Sequence, residues 1–320
     1  MSPSHRWWAR LVFGIGACGL AIVPTGPSLY RSSTTPPRQH IAFDRDVRGE
    51  THIFVMNTDG MHQADLSRAP AAAPAWSSDG TKLAFVSSRA TVDVPQLYVM
   101  RADGSHQVRL THDTMHDGNP TRSPDGTRIA FEGENGLFIY TLKTRRTTRL
   151  TNDNDAQPAW SPDGTMIAFT RTHDVPSPTN TTGMDQVDEL WVVGPDGSGA
   201  RRLTSPPISF SGPTTTITGK DDFPAWSPDG RSIVFESNRD SNNGIFLMGA
   251  DGSNIHPLTH PPGIDEFPTW SADGATIVFV RTAEPVLSSP DQIYAMSADG
   301  SGQRSLTGGT SPAWQPTRLR

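Results

Sequence analysis

Pro158-Ala159-Trp160-Ser161-Pro162-Asp163-Gly164, followed by the apolar run Met166-Ile167-Ala168-Phe169, is one of six copies of a single phrase. The other copies begin at Pro74, Pro120, Pro224, Pro268 and Pro312, and their third residues are Trp76, Arg122, Trp226, Trp270 and Trp314. Successive third residues are 46, 38, 66, 44 and 44 positions apart. The unit from Pro74 to His112 reads as four short strands: Pro74 to Ser77, Lys82 to Ser87, Gln96 to Met100 and Gln107 to Thr111. Asp79-Gly80 and Asp103-Gly104 turn the chain between them, because Gly accepts positive φ and Asp hydrogen-bonds nearby backbone. Leu-Thr or Leu-Ser closes every unit, at Leu66, Leu110, Leu150, Leu203, Leu258 and Leu306.

A period in the forties with four short strands per unit is the signature of a β-propeller blade. Runs such as Ile233-Val234-Phe235 and Leu190-Trp191-Val192-Val193 are apolar on both faces, as strands covered on both sides must be. The ends complement one another. Ile41-Ala42-Phe43 and His52 to Met56 form a unit lacking its first strand, and Pro312-Ala313-Trp314 is a first strand with nothing after it. Joining them closes an all-β, six-bladed ring with no open sheet edge in the circle. The expected organisation is a signal or anchor segment over 1–30, a linker over 31–40, the propeller over 41–316 and a short tail over 317–320.

Arg6 and Arg10 precede an apolar stretch from Leu11 to Val23 and then Pro24-Thr25-Gly26-Pro27, the pattern of a secretory signal. Export, with membrane contact only through this segment, is the expectation. Cys18 is the sole cysteine, which rules out an intramolecular disulfide; Ile15-Gly16-Ala17-Cys18 reads either as a lipidation site or as an ordinary signal residue. A net charge of −6 leaves no basic footprint for nucleic acid.

The Pro-x-Trp-Ser-Pro-Asp-Gly phrase, the Ile-Ala-Phe strand, the Asp-Gly turn and the Leu-Thr close together resemble the TolB-type six-bladed propeller repeat, over about residues 41–316. The resemblance implies a periplasmic protein of the Tol–Pal envelope system that binds a peptidoglycan-associated lipoprotein through its propeller. Family members also carry an N-terminal α/β domain, for which there is no room before Ile41; a shortened, exported, partner-binding propeller is expected. The repeat also resembles propellers attached to prolyl-oligopeptidase-type hydrolases, but no Gly-x-Ser-x-Gly elbow is present.

Two insertions, from Arg171 to Glu189 and from Ser205 to Phe223, account for the 66-residue step and should overhang one face. Long loops on a rigid scaffold commonly carry binding, although decoration rich in Pro, Thr and Ser is the plainer alternative. Three residues before the repeat proline stand Asp117, Asp155, Asp221 and Asp265, with Asp222 and Glu266 directly after two of them. If these converge at the channel mouth, they need solvent, a base, a partner's basic tip or a cation such as Ca²⁺. Alternatively each satisfies the backbone of its own loop. Arg122 replaces Trp in the repeat and needs an acidic partner, for which Glu132, Asp155 and Asp117 are the sequence candidates, or its stem simply packs in place of the ring. His112 and His116 have metal-pair spacing only on a helix, and their segment reads as loop. With no catalytic constellation, the chain is expected to be a monomeric, non-catalytic envelope module, without a cofactor, that binds a protein or peptide on the insertion face. The alternative is a metal-dependent propeller enzyme of the lactonase or polysaccharide-lyase kind, its site at the channel mouth.

Overall fold

The structure, a computed structural model, describes residues 39–90, 94–176, 184–207, 209–211, 216–240, 243–260, 262–283 and 290–316. The segment 1–30 with Cys18, most of the linker and the tail 317–320 lie outside the described residues. Six four-stranded antiparallel sheets follow one another, each running in chain order from inner to outer strand except the one that joins the termini. Blade 2 consists of Ala72–Trp76, Lys82–Ser87, Gln96–Arg101 and Val108–Arg109, close to the sequence reading. Neighbouring first strands touch around the whole circle, which makes them the inner wall of an axial channel. Among the described residues no helix is long and apolar enough to cross a membrane.

Blade 1 takes its first strand, Thr310–Trp314, from the C-terminus, paired with His40–Val47 in the register Ile41↔Trp314 and Ala42↔Ala313. The Gln315 amide donates to the His40 carbonyl, Trp314 Nε1 to Gln39 Oε1, and Trp76 Nε1 of blade 2 to the Ala313 carbonyl. The closing segment is therefore bonded on both sides.

Every blade carries the same core unit. The Phe of the second strand faces an aromatic ring directly across the ladder: Phe43↔Phe54, Phe85↔Tyr98, Phe131↔Phe138, Phe169↔Trp191, Phe235↔Phe246 and Phe279↔Tyr294. All six second-strand Phe rings are buried. Such cross-strand aromatic pairs stabilise by up to about 1 kcal/mol each beyond simple area burial. An arginine lies over each unit: Arg45, Arg89, Arg149, Arg171, Arg239 and Arg281 in chain order. The Leu-Thr close has a second task, since Thr111, Thr151, Thr204 and Thr259 accept the amides of Leu97, Leu137, Leu190 and Ile245 in their blades' third strands, and Ser67 accepts that of Ile53 in blade 1. Glycine at the later turn is required by contact between blades. A Cβ on Gly104, at φ +79, would lie 2.5 Å from the Leu66 carbonyl oxygen of the preceding blade.

Candidate functional site at the insertion-bearing mouth

The inner strands run from an Asp end to a Trp end. Close to the Asp end each has a bulge, and the residue just before the repeat proline is left-handed in every blade: Ala73, Asn119, Gln157, Phe223, Phe267 and Ser311, at φ +41 to +56. Proline disfavours the right-handed helical region for the residue before it, and a bulge needs one residue out of the extended region. Left-handed geometry is costly for a side chain as large as Phe and persists only where surroundings enforce it. The enforcing groups are buried acceptors. Asp44 accepts the Ala73 amide at 3.0 Å, Gln157 Oε1 accepts the Phe223 amide at 3.1 Å, and Glu132 and Glu236 take the amides of Gln157 and Phe267. Asp44, Glu132 and Glu236 occupy one repeat position, after the core Phe, in blades 1, 3 and 5. Burial lifts Asp44 to about 8 and raises Glu132.

The six acidic candidates divide sharply. Asp155 and Asp265 each receive a two-pronged bond from the arginine directly across the ladder, Arg171 at 2.7 and 2.8 Å and Arg281 at 2.6 and 2.7 Å. Asp221 accepts from Ser237 Oγ and Arg239 Nη2, both at 2.6 Å. Asp117 takes the Leu97 amide of blade 2 at 2.9 Å together with Thr111 Oγ1, and burial lifts it to about 7. All four are buried latches within or between blades, each satisfied by its own arginine, hydroxyl or amide. The residue after each Asp points the other way, because side chains one apart lie on opposite faces of a sheet. Arg122 is also placed differently. It sits at the Trp end, a strand length from Asp117, and its charge partner is Asp79 of blade 2, not Glu132, Asp155 or Asp117.

Asp222 and Glu266 take the other direction. Asp222 lies directly opposite Glu236 in the ladder, an arrangement of like charges that destabilises a sheet. Lys220 resolves it, with Nζ 3.0 Å from Asp222 Oδ2 and 2.7 Å from Glu236 Oε1, while Asn243 Nδ2 donates to the same Glu236 oxygen at 2.9 Å. Glu266 of blade 6 adds to the field on the lysine, and Asp188 of blade 4 faces both Lys220 and Asp222. Burial alone would lower the Lys220 ammonium, yet the surrounding carboxylates hold it well above the ordinary lysine value. Burial raises Asp222 to about 7, and burial with the neighbouring Asp222 raises Glu236 to about 8. Asp222 Oδ1 is buried with no hydrogen-bond partner among the described residues, whereas the Lys220 side chain is 33% exposed. One lysine thus serves four carboxylates at the point where the cluster reaches solvent. Beside it the rings of Phe223 and Phe267 meet edge to face at 4.4 Å.

The two insertions meet at this cluster. The second and third strands of blade 4 lengthen to Ile167–Pro176 and Met184–Val193, and a small hairpin, Ser209–Ser211 with Thr216–Thr218, precedes blade 5. Asp188 bridges to Lys220, with the Asp188 amide donating to the Gly219 carbonyl at 3.0 Å. Residues 177–183 and 212–215, the tips of the two insertions, are outside the described residues. Lys220, Glu236 and Asp188 were not legible as site residues, although the acid at the repeat position after Phe235 was a departure from the Val of blades 2 and 6. Among the described residues no group of three or more His, Cys, Asp or Glu side chains is arranged to hold a metal ion.

A TolB homolog of Chlorobium luteolum is 32% identical over 173 residues, 53% of this chain and 34% of its own length. The Tol-Pal system protein TolB of Bordetella pertussis is 32% identical over 182 residues, 54% of this chain and 36% of its own. The chain spans about a third of the length of these relatives. In three dimensions the crystal structure of TolB from Acinetobacter baumannii superposes with a TM-score of 0.69 at 23% identity, over 87% of this chain and 67% of that one. An oligogalacturonate lyase in complex with manganese shares the fold more distantly, with a TM-score of 0.52 at 14% identity over 85% of this chain and 74% of that one. The TolB beta propeller domain profile matches residues 31–136 and 211–318, most of the six-bladed ring, and the chain belongs to that family.

Proposed function

We propose that the chain is an exported, non-catalytic binding module of the cell envelope that engages a protein or peptide partner on the insertion-bearing face, without a cofactor. The observation that carries this reading is the junction of the two insertions, at Asp188 and Lys220, over a charge cluster in which one lysine pairs with Asp222 and Glu236. Relatives named for the Tol-Pal system support an envelope setting. The partner meets an acidic mouth flanked by two partly exposed Phe residues, a surface suited to a segment with a basic or polar tip beside an apolar residue. The lower-ranked enzymatic reading needs a metal or an acid–base pair set for turnover. The test is capture of partners from envelope extract by the chain, by a Lys220→Glu variant and by a form shortened within 174–187. A partner retained by the first and lost by both others supports the proposal. Equal recovery by all three, or stoichiometric metal with turnover of lactone or uronide substrates, overturns it.

A further inference from the structure

Blade 3 breaks the repeat on the outer perimeter, away from the mouth. Where the other blades carry Asp-Gly between third and fourth strands, blade 3 has Leu142-Lys143-Thr144-Arg145, with Arg145 at φ +54 closing the turn on the Thr141 carbonyl. Its outer strand, Arg146–Arg149, is exposed at all four residues, and no strand pairs with its outer edge. In blades 1, 2, 4 and 5 the outer strand is only two residues long. The outer strand of blade 6, Arg304–Gly308, is covered at Thr307 and Gly308 by Arg45 and Gln63 of blade 1. Among the described residues blade 3 alone presents a strand edge that is both long and uncovered.

That edge is also basic. Lys143, Arg145, Arg146 and Arg149 fall within seven residues of a chain whose net charge is −6, and none of them is in an ion pair among the described residues. Arg149 is held by the carbonyls of Asn135 and Glu134 and by the ring of Phe138; Lys143, Arg145 and Arg146 stand free in solvent. The Leu150 amide donates to the Leu137 carbonyl, and the ladder pairs Phe138 with Arg149 and Ile139 with Thr148. Hydrogen-bonded pairs alternate along an antiparallel ladder, so the amides of Arg146 and Thr148 face inward and those of Thr147 and Arg149 face outward. Two copies of this edge would set like charges against each other, which excludes self-pairing and leaves room for a strand of opposite charge.

The geometry points to the outer edge of blade 3 as a β-augmentation site for an extended acidic segment of another protein, added as a fifth strand with Glu or Asp at alternate positions. The backbone supplies the ladder, and Arg145 and Arg146 choose an acidic strand over others. The probe is a capped peptide, Thr-Glu-Val-Glu-Val-Glu, titrated into the whole chain, beside the same peptide N-methylated at alternate residues and vesicles containing anionic phospholipid. The peptide binds; the Arg145→Glu/Arg146→Glu variant, with an unchanged melting curve, binds it roughly tenfold more weakly, as reversing one cross-strand charge pair and the charge of the adjoining turn implies. N-methylation, which leaves the charge but removes ladder donors, abolishes binding. Equal binding of the N-methylated peptide would reduce the edge to charge attraction alone. Vesicle binding that is lost in the double variant, with no peptide binding, would assign the patch to lipid; no binding of either probe would leave the charges a guard against aggregation. Each of these three outcomes overturns the inference.

Discussion

The two ends of the inner strands come from one repeat on different terms. At the Trp end five blades carry the same turn, in which Ser77, Ser123, Ser161, Ser227 and Ser271 each donate to the Asp two residues on at 2.5–2.6 Å. Each of these hydroxyls also accepts the amide five residues on, as Lys82 to Ser77 and Thr276 to Ser271. At the Asp end the corresponding pairs are Gly309-Thr310, Ala71-Ala72, Asp117-Gly118, Asp155-Ala156, Asp221-Asp222 and Asp265-Glu266, no two alike. The Trp end is satisfied within seven residues of chain and can be copied from blade to blade. The Asp end is satisfied across strands and blades, so each wedge finds its own solution, and at the wedge of blades 4 to 6 four carboxylates gather around one lysine.

Stopping the chain after Gly309 should produce the largest effect, because it strips blade 1 of its inner strand and exposes the blade 2 contact at Trp76. Repeat folds draw stability from neighbouring interfaces, so the single cooperative melt should be lost, together with the compact elution of the full chain in size exclusion. A next, finer comparison sets Asp265→Ala against Asp273→Ala. The first leaves Arg281 unpaired at a largely buried site and should cost about 2–4 kcal/mol; the second removes a mostly exposed turn and should cost about 1 kcal/mol. Urea unfolding measures both, and equal costs would erase the distinction between the two ends.

The charged wedge also predicts a pH dependence. The unfolded chain releases the Asp222 and Glu236 protons near their ordinary values of 3.8 and 4.5, whereas the folded chain keeps them to about 7 and 8. Between those limits the folded state binds more protons, so stability falls as pH rises. The Asp222→Asn/Glu236→Gln variant should reduce the loss between pH 5 and pH 8 by at least about 1 kcal/mol, read from urea midpoints. Asp44 and Asp117, likewise raised, keep the remaining slope. The smallest effect concerns the one departure at the Trp end. Arg122→Trp exchanges buried, unpartnered Nε and Nη1 groups for the repeat's own ring and should stabilise by about 0.5–1 kcal/mol. A loss would mean that the Asp79 partner, held down at about 2 despite its partial burial by Ser77 and Thr81 as well as by Arg122, matters more than the orphaned nitrogens.

Strand order, blade count and ring closure were legible from Asp-Gly turns and run-on apolar strands that recur along the chain, and from one Trp segment lacking its blade. The siting of both insertions over one face was legible from strand direction. Asp222 and Glu266 stood out as departures from the repeat, but their neighbours Asp221 and Asp265 looked equally available. What separates them is which side of the sheet each takes after the bulge, and an arginine sixteen or eighteen residues away claims the latter pair. Lys220 gave no sign in the sequence, since its two ligands lie on different strands and its bridge partner, Asp188, is in another blade.

Sequence alone determined six sheets and the complementary half-units at the two ends that close the ring, because turns and run-on apolar strands are written in short, recurring stretches. Tertiary structure decided which carboxylates are spent on arginine and which share a single lysine. Charge balance in a buried setting depends on groups brought within hydrogen-bond reach by register and by the fit of one blade against the next, and no stretch of sequence holds that information alone.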